Sequence, residues 1–168
     1  MAVDTEREDL IGMLASQRDL FRITLRGIDD EQARQRTTVS ELTLGGLLNH
    51  MVNIERHWYT VIVERDETAT FDVSRMDSEY RLGPGQSVAD LLATWEEAAL
   101  ETEKLIRDLD SLDTSIPLPT APWSPERQWW TVRFALLHIL REIAHHSGHA
   151  DIIREALDGA NTTYQRAS

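Results

Sequence analysis

The chain contains no cysteine, only one lysine, Lys104, and no long apolar run. Without cysteine it can form no disulfide framework, thiolate zinc ribbon, thiolate nucleophile or redox dithiol of its own. Any thiol chemistry must use a sulfur supplied from outside. No apolar stretch approaches the roughly 20 residues that a membrane-spanning helix needs. Met1–Leu10 carries Asp4, Glu6, Glu8 and Asp9 where a secretion signal would place a basic and then a greasy region. These features lead to the expectation of a cytoplasmic protein with no membrane partner. Positive charge is also scarce: 17 basic residues face 29 acidic ones, a formal net charge of −12. That balance opposes the attraction on which non-specific nucleic-acid binding depends, so no nucleic-acid partner is expected.

The 168 residues, 41% of them apolar, are enough to bury a substantial core, and they read as a single domain over 1–168. Hydrophobic periodicity predicts four helices. The first runs from about Thr5 to Gly27 on Leu10, Met13, Leu14, Phe21 and Leu25. In the second, Thr43 is a candidate cap, and Leu44, Leu47, Leu48, Met51, Ile54, Trp58 and Ile62 carry an apolar stripe to about Glu64. The adjacent Gly45-Gly46 in its first turn permits close backbone approach. Residues 65–86 are polar and end in Gly83-Pro84-Gly85, so they read as a long connection with one short helical turn. Ser87 and Asp90 resemble a capping box opening the third helix, which carries Val88, Leu91, Leu92, Trp95, Leu105 and Leu109. Pro117, Pro119, Pro122 and Pro125 make residues 110–128 an extended linker. The fourth and longest helix is expected from about Trp129 to Leu157, stopped by Asp158-Gly159. The expected fold is all-α, a four-helix bundle. The long crossover between helices two and three favours up-down-down-up topology, because a parallel pair needs a connection that returns along the bundle.

All six histidines fall in two of these helices: His50 and His57 in the second, and His138, His145, His146 and His149 in the fourth. Residues three or four apart share a helix face and can reach one metal. With His138 as the zero of angle, Ile139, Ile143, Ile153 and Leu157 place the buried direction of the fourth helix at about 100°. His146 falls at about 80°, Glu142 at about 40°, His149 at about 20° and His145 at about 340°. His146 and His149 are therefore the better-placed pair, with Glu142 pointing between them and His145 as the alternative to His146. His50 projects from the flank of the second helix's stripe and can meet them inside the bundle. Three imidazoles with a fourth position left open is the pattern of a catalytic divalent metal. Zinc is the first expectation from ligand type, with nickel as the alternative. The competing reading is that these are hydrogen-bonded core histidines. His57 and His138 are expected to stand outside the ligand set. Trp58, Trp123, Trp129 and Trp130 could wall a ligand pocket, although aromatics in such places more often anchor packing.

Two stretches carry a family resemblance. Leu47-Leu48-Asn49-His50 through Trp58, and His138 through Gly159 with its Glu142, His146, Gly148-His149-Ala150-Asp151, Arg154-Glu155 and Asp158-Gly159, resemble the DinB-like superfamily of metal-binding four-helix bundles. Within it they resemble a branch described as a domain of unknown function. The resemblance implies an up-down-down-up bundle with a divalent metal on His50, His146 and His149. It further implies kinship with enzymes that use a low-molecular-weight thiol, including mycothiol-dependent S-transferases and maleylpyruvate isomerase. This branch often has arginine where His145 stands, so the choice between His145 and His146 stays open. The implied activity is a metal-dependent S-transferase in which a mycothiol-type thiol, bound as thiolate, attacks a small electrophile. Glu142 would act as the catalytic proton acceptor or orient a histidine ligand. Alternatives are a thiol-dependent isomerase, a metal-assisted hydrolase, or a non-catalytic metal- and ligand-binding bundle of the stress response. The expected site lies at one end of the bundle, partly covered by the proline-rich linker, and superfamily resemblance favours a homodimer.

Overall fold

Capping groups and apolar stripes determine where the long helices begin and how they pack. The computed structural model describes residues 4–166, so the ends of the expected domain, 1–3 and 167–168, lie outside the described residues. Four main helices pack together: α1 (Thr5–Ile23), α3 (Leu44–Glu64), α5 (Val88–Asp108) and α6 (Val132–Asp158). Short helices α2 (Asp30–Arg34), α4 (Met76–Glu79) and α7 (Thr162–Gln165) lie between or after them. Thr43 accepts from the Gly46 N–H at 3.1 Å and Ser87 from the Asp90 N–H at 3.0 Å, each satisfying a donor with no partner inside its own helix. Gly159, at φ 79°, ends α6 in the left-handed conformation that glycine adopts without strain. Helix α1 packs on α6, and α3 packs on both α5 and α6. Leu14, Phe21, Leu47, Leu48, Met51, Trp95, Leu136 and Ile139 are fully buried between them. None of the described helices is long and apolar enough to cross a membrane.

The all-α expectation needs correction. Within the proline-rich connection, β1 (Ser115–Pro117) pairs antiparallel with β2 (Trp129–Thr131), Ile116 opposite Trp130. The prolines do prevent helix, as the composition implied. The extended backbone they enforce then finds a partner twelve residues on, which local periodicity cannot reveal. For the same reason the fourth long helix starts at Val132 rather than about Trp129, with Thr131 as its cap, accepting from the Phe134 N–H at 3.2 Å. The first helix ends at Ile23, and turns carry the chain to Gly27 at φ 69°. Helix α2 is held by a reciprocal capping box between Asp29 and Gln32, a signature present in the sequence but in a segment with little apolar periodicity.

Two buried arginines tie the bundle together. Arg18 on α1 reaches Glu55 on α3, Nη2 to Oε1 at 2.5 Å and Nε to Oε2 at 3.2 Å, while the Trp95 indole N–H donates to Glu55 Oε2 at 2.7 Å. Arg154 on α6 donates from Nε to Asp158 at 2.9 and 3.0 Å and from Nη1 to the carbonyls of Thr24 and Arg26, each at 2.8 Å. Those carbonyls belong to the turns that end α1, so Arg154 supplies donors where the helix has run out of its own.

Candidate metal centre

His50 and His146 both lie on apolar stripes, and the packing of α3 on α6 turns them toward each other. Their rings meet edge to face with centroids 4.8 Å apart. Glu142, one turn before His146, places Oε2 3.9 Å from His50 Nε2 and 3.7 Å from His146 Nε2. Ligand atoms of these three residues all lie within 4.8 Å of one another, and both histidines are buried. This is the one such three-residue group among the described residues. Burial, and after it the neighbouring His50, push His146 down to about 4, so its ring is neutral at pH 7 and keeps a lone pair free for a metal. Two imidazoles and a carboxylate, converging in a protein interior, match the donor set of divalent-metal sites that leave a position open.

The structure places the other expected residues as follows. His149 lies behind His146, Nδ1 to Nδ1 at 3.2 Å, on the side of the ring opposite the nitrogen that faces Glu142. It is not one of the three clustered residues. His145 is exposed, with its ring 4.6 Å from that of His149. His138 packs edge-on against Trp58 and Trp130, which stack on each other at 5.0 Å. His138 Nδ1 lies 3.7 Å from Glu142 Oε1, the carboxylate oxygen that Arg141 also approaches at 3.2 Å. Glu142 is thus held by Arg141 on one side and faces the histidine cluster on the other. His57 is half-buried and lines a cleft of about 220 Å³ with Asn53, Thr70, Phe71, Arg75 and Glu79. Trp123 and Trp129 are exposed.

Two residues that periodicity did not single out complete the surroundings of His50, both from the long crossover. Glu79, at the end of α4, accepts from His50 Nδ1 at 2.9 Å, and this hydrogen bond holds its carboxyl below the usual carboxylate range. Tyr80 stacks on the His50 ring at 4.2 Å, with its hydroxyl 3.1 Å from Nε2. The cover over His50 therefore comes from the crossover, whereas the proline-rich connection contributes only Trp130, beside His138. A signal for this docking did exist in Gly45-Gly46. A methyl group built on Gly46 would overlap the Tyr80 carbonyl, and one on Gly45 would crowd Leu82 at 2.9 Å. Asn49 pins the same segment, donating to the carbonyls of Glu79 at 3.0 Å and Ser78 at 3.3 Å.

A sequence profile of the mycothiol S-transferase family matches residues 9–159. The chain belongs to the mycothiol S-transferase family. The match covers both histidine-bearing helices and the crossover between them. The fold resembles the crystal structure of a conserved protein from Enterococcus faecalis, 14% identical, over 95% of this chain and 99% of that one, with a TM-score of 0.67. No curated protein sequence matches this chain. In this family member, residues of the Gly148–Gly159 stretch have structural duties. Asp151 accepts from the backbone N–H and hydroxyl of Thr162, each at 2.7 Å, and Arg154, Asp158 and Gly159 secure the end of α6.

The site makes the metal-free bundle sensitive to acid. His57, His138 and His146 all lie below the ordinary histidine value, burial being the first cause in each case. As pH falls through about 6.5, the unfolded chain protonates these rings while the native state resists. The unfolded state then binds more protons, so stability falls with pH. The urea midpoint of chelator-treated protein is expected to be lower at pH 5.5 than at pH 7.5. A midpoint independent of pH over that range would mean that the rings protonate freely in the native state.

Proposed function

We propose that this protein is a divalent-metal-dependent S-transferase that uses a low-molecular-weight thiol of the mycothiol type, acting in the cytoplasm on a small electrophile. The observation that carries the reading is the convergence of His50 Nε2, Glu142 Oε2 and His146 Nε2 inside a chain of this family. In this proposal those three residues hold the ion, with zinc favoured by the donor types and nickel as the alternative. Bound there, a divalent ion lowers the pKa of a thiol admitted to its open position and so presents a nucleophile at neutral pH. That chemistry suits a chain with no cysteine of its own.

The protein's own residues supply position and exclusion. His50 and His146 are held facing each other by burial between α3 and α6, and burial keeps the His146 ring neutral at pH 7. Arg141 fixes the carboxylate plane of Glu142 through Oε1, leaving Oε2 to the cluster. The stacked Tyr80 ring covers one face of His50 and keeps water from it. The cleft lined by Glu79, the residue that holds His50 Nδ1, offers room for part of the thiol or the electrophile. The overall reaction joins the thiol sulfur to an electrophilic carbon, while the S–H proton leaves with the displaced group or adds to the acceptor. We further propose a single domain with up-down-down-up topology, since the crossover is long enough to return along the bundle.

The test is twofold: elemental analysis of untagged protein and of His50→Ala, and conjugate formation from a candidate thiol plus an electrophile. About one divalent ion per chain in the native protein, its loss in the variant, and a thioether product only with the loaded protein are expected. Loaded protein that forms no conjugate with any thiol would favour the non-catalytic metal-binding alternative.

A further inference from the structure

We infer that Glu79 is the positioning residue of His50 and that Tyr80 is its built-in competitor, so that one turn of the crossover sets the metal affinity of the centre. The inference rests on the metal reading above and concerns two residues outside the ligand set. The two nitrogens of His50 have different partners: Glu79 Oε1 lies 2.9 Å from Nδ1 and the Tyr80 hydroxyl 3.1 Å from Nε2. An ionised carboxylate can only accept, so the ring proton resides on Nδ1. Nε2 then carries the lone pair, and the phenol donates to it. Nε2 is also the nitrogen that faces Glu142 Oε2, at 3.9 Å. Loading the centre needs that same lone pair. Tyr80 must therefore release Nε2, whereas Glu79 keeps its hold on Nδ1 and makes Nε2 the better donor.

The segment bearing both residues is firmly docked. Asn49 holds the carbonyls of Ser78 and Glu79, and the absence of a side chain at Gly46 lets the Tyr80 backbone sit against α3. The two residues therefore act on a fixed ring from opposite sides, with opposite effects on the ion. A merely structural role would give both substitutions the same sign.

Zinc affinity measured by competition with a chromogenic chelator separates these possibilities. Glu79→Ala is expected to weaken zinc binding by about 10- to 100-fold. Glu79→Gln, whose amide oxygen can still accept from Nδ1–H, should recover much of that loss. Tyr80→Phe keeps the stacked ring but loses the competing hydrogen bond, and should bind zinc about five-fold more tightly. Equal weakening in Glu79→Ala and Tyr80→Phe, or no change in either, would overturn the inference. A second readout needs no metal: the ¹⁵N shifts of the His50 ring in chelator-treated protein. Native protein and Tyr80→Phe should show the proton on Nδ1, and Glu79→Ala a mixture of tautomers. A native ring protonated on Nε2 would overturn the positioning role directly. A native protein with the Nδ1 proton but no zinc affinity would instead sink the metal reading and leave Glu79 as the residue that orients His50.

Discussion

Glu55→Ala is expected to destabilise the fold by about 3–5 kcal/mol, the cost typical of removing one partner from a buried ion pair. Arg18 and Glu55 are both buried, with side-chain exposures of 2% and 0%. Removing the carboxylate leaves the Arg18 guanidinium with only Glu103, at 3.2 Å and itself partly exposed, and strips the Trp95 indole N–H of its acceptor. The truncation also opens a cavity among side chains that pack closely around it. Glu55→Gln should cost less, because its amide oxygen can still accept from Trp95, but the arginine charge is then met by the partly exposed Glu103 alone. Urea denaturation of native protein and both variants, with the slope checked for constancy, measures the difference. A loss under about 1 kcal/mol for the alanine variant would mean that water or Glu103 already solvates Arg18 in the native state.

Glu142→Ala is expected to empty the metal centre, and His149→Ala to leave it loaded. The contrast follows from geometry: Glu142 Oε2 stands 3.7 Å and 3.9 Å from the two clustered imidazole nitrogens, whereas His149 meets only the far nitrogen of His146. His149→Ala should instead weaken retention modestly, by removing a group that orients His146. Metal content after dialysis, measured in parallel for native protein and both variants, decides between two ligand sets. The opposite pattern, with loss in His149→Ala and retention in Glu142→Ala, would assign the ion to the three imidazoles His50, His146 and His149. Glu142 would then be free to act as a base.

Much of this arrangement was readable from residue spacing. The stripe from Leu47 to Ile62 and the one from Ile139 to Leu157 carry His50 and His146 on or beside the buried direction, and α3 and α6 bury both. Wheel angles also placed Glu142 between His146 and His149. What they could not supply was depth. A carboxylate on the flank reaches farther than its angle suggests, and the partner ring on α3 decides which two groups of α6 it can meet. The buried ion pair has a signature in the sequence: Glu55 interrupts the apolar stripe between Met51 and Trp58, and Arg18 lies between Leu14 and Phe21. Charged residues in the middle of an otherwise apolar face are a pattern that calls for a partner inside the bundle.

Composition alone determined that any sulfur nucleophile must be borrowed, and periodicity determined four long helices with their caps at Thr43 and Ser87 and the stop at Gly159. These are properties of single residues or of one helix, governed by interactions within a few positions. The β1–β2 pairing, the docking of Glu79 and Tyr80 on His50, and the selection of Glu142 as neighbour to both imidazoles were decided only in three dimensions. Each joins segments twelve to about ninety residues apart, whose meeting depends on how α3 and α6 pack and on where the crossover lands. Gly45-Gly46 marks the boundary between the two. The pair signals a close backbone approach, but the backbone that approaches becomes known only when the crossover is in place.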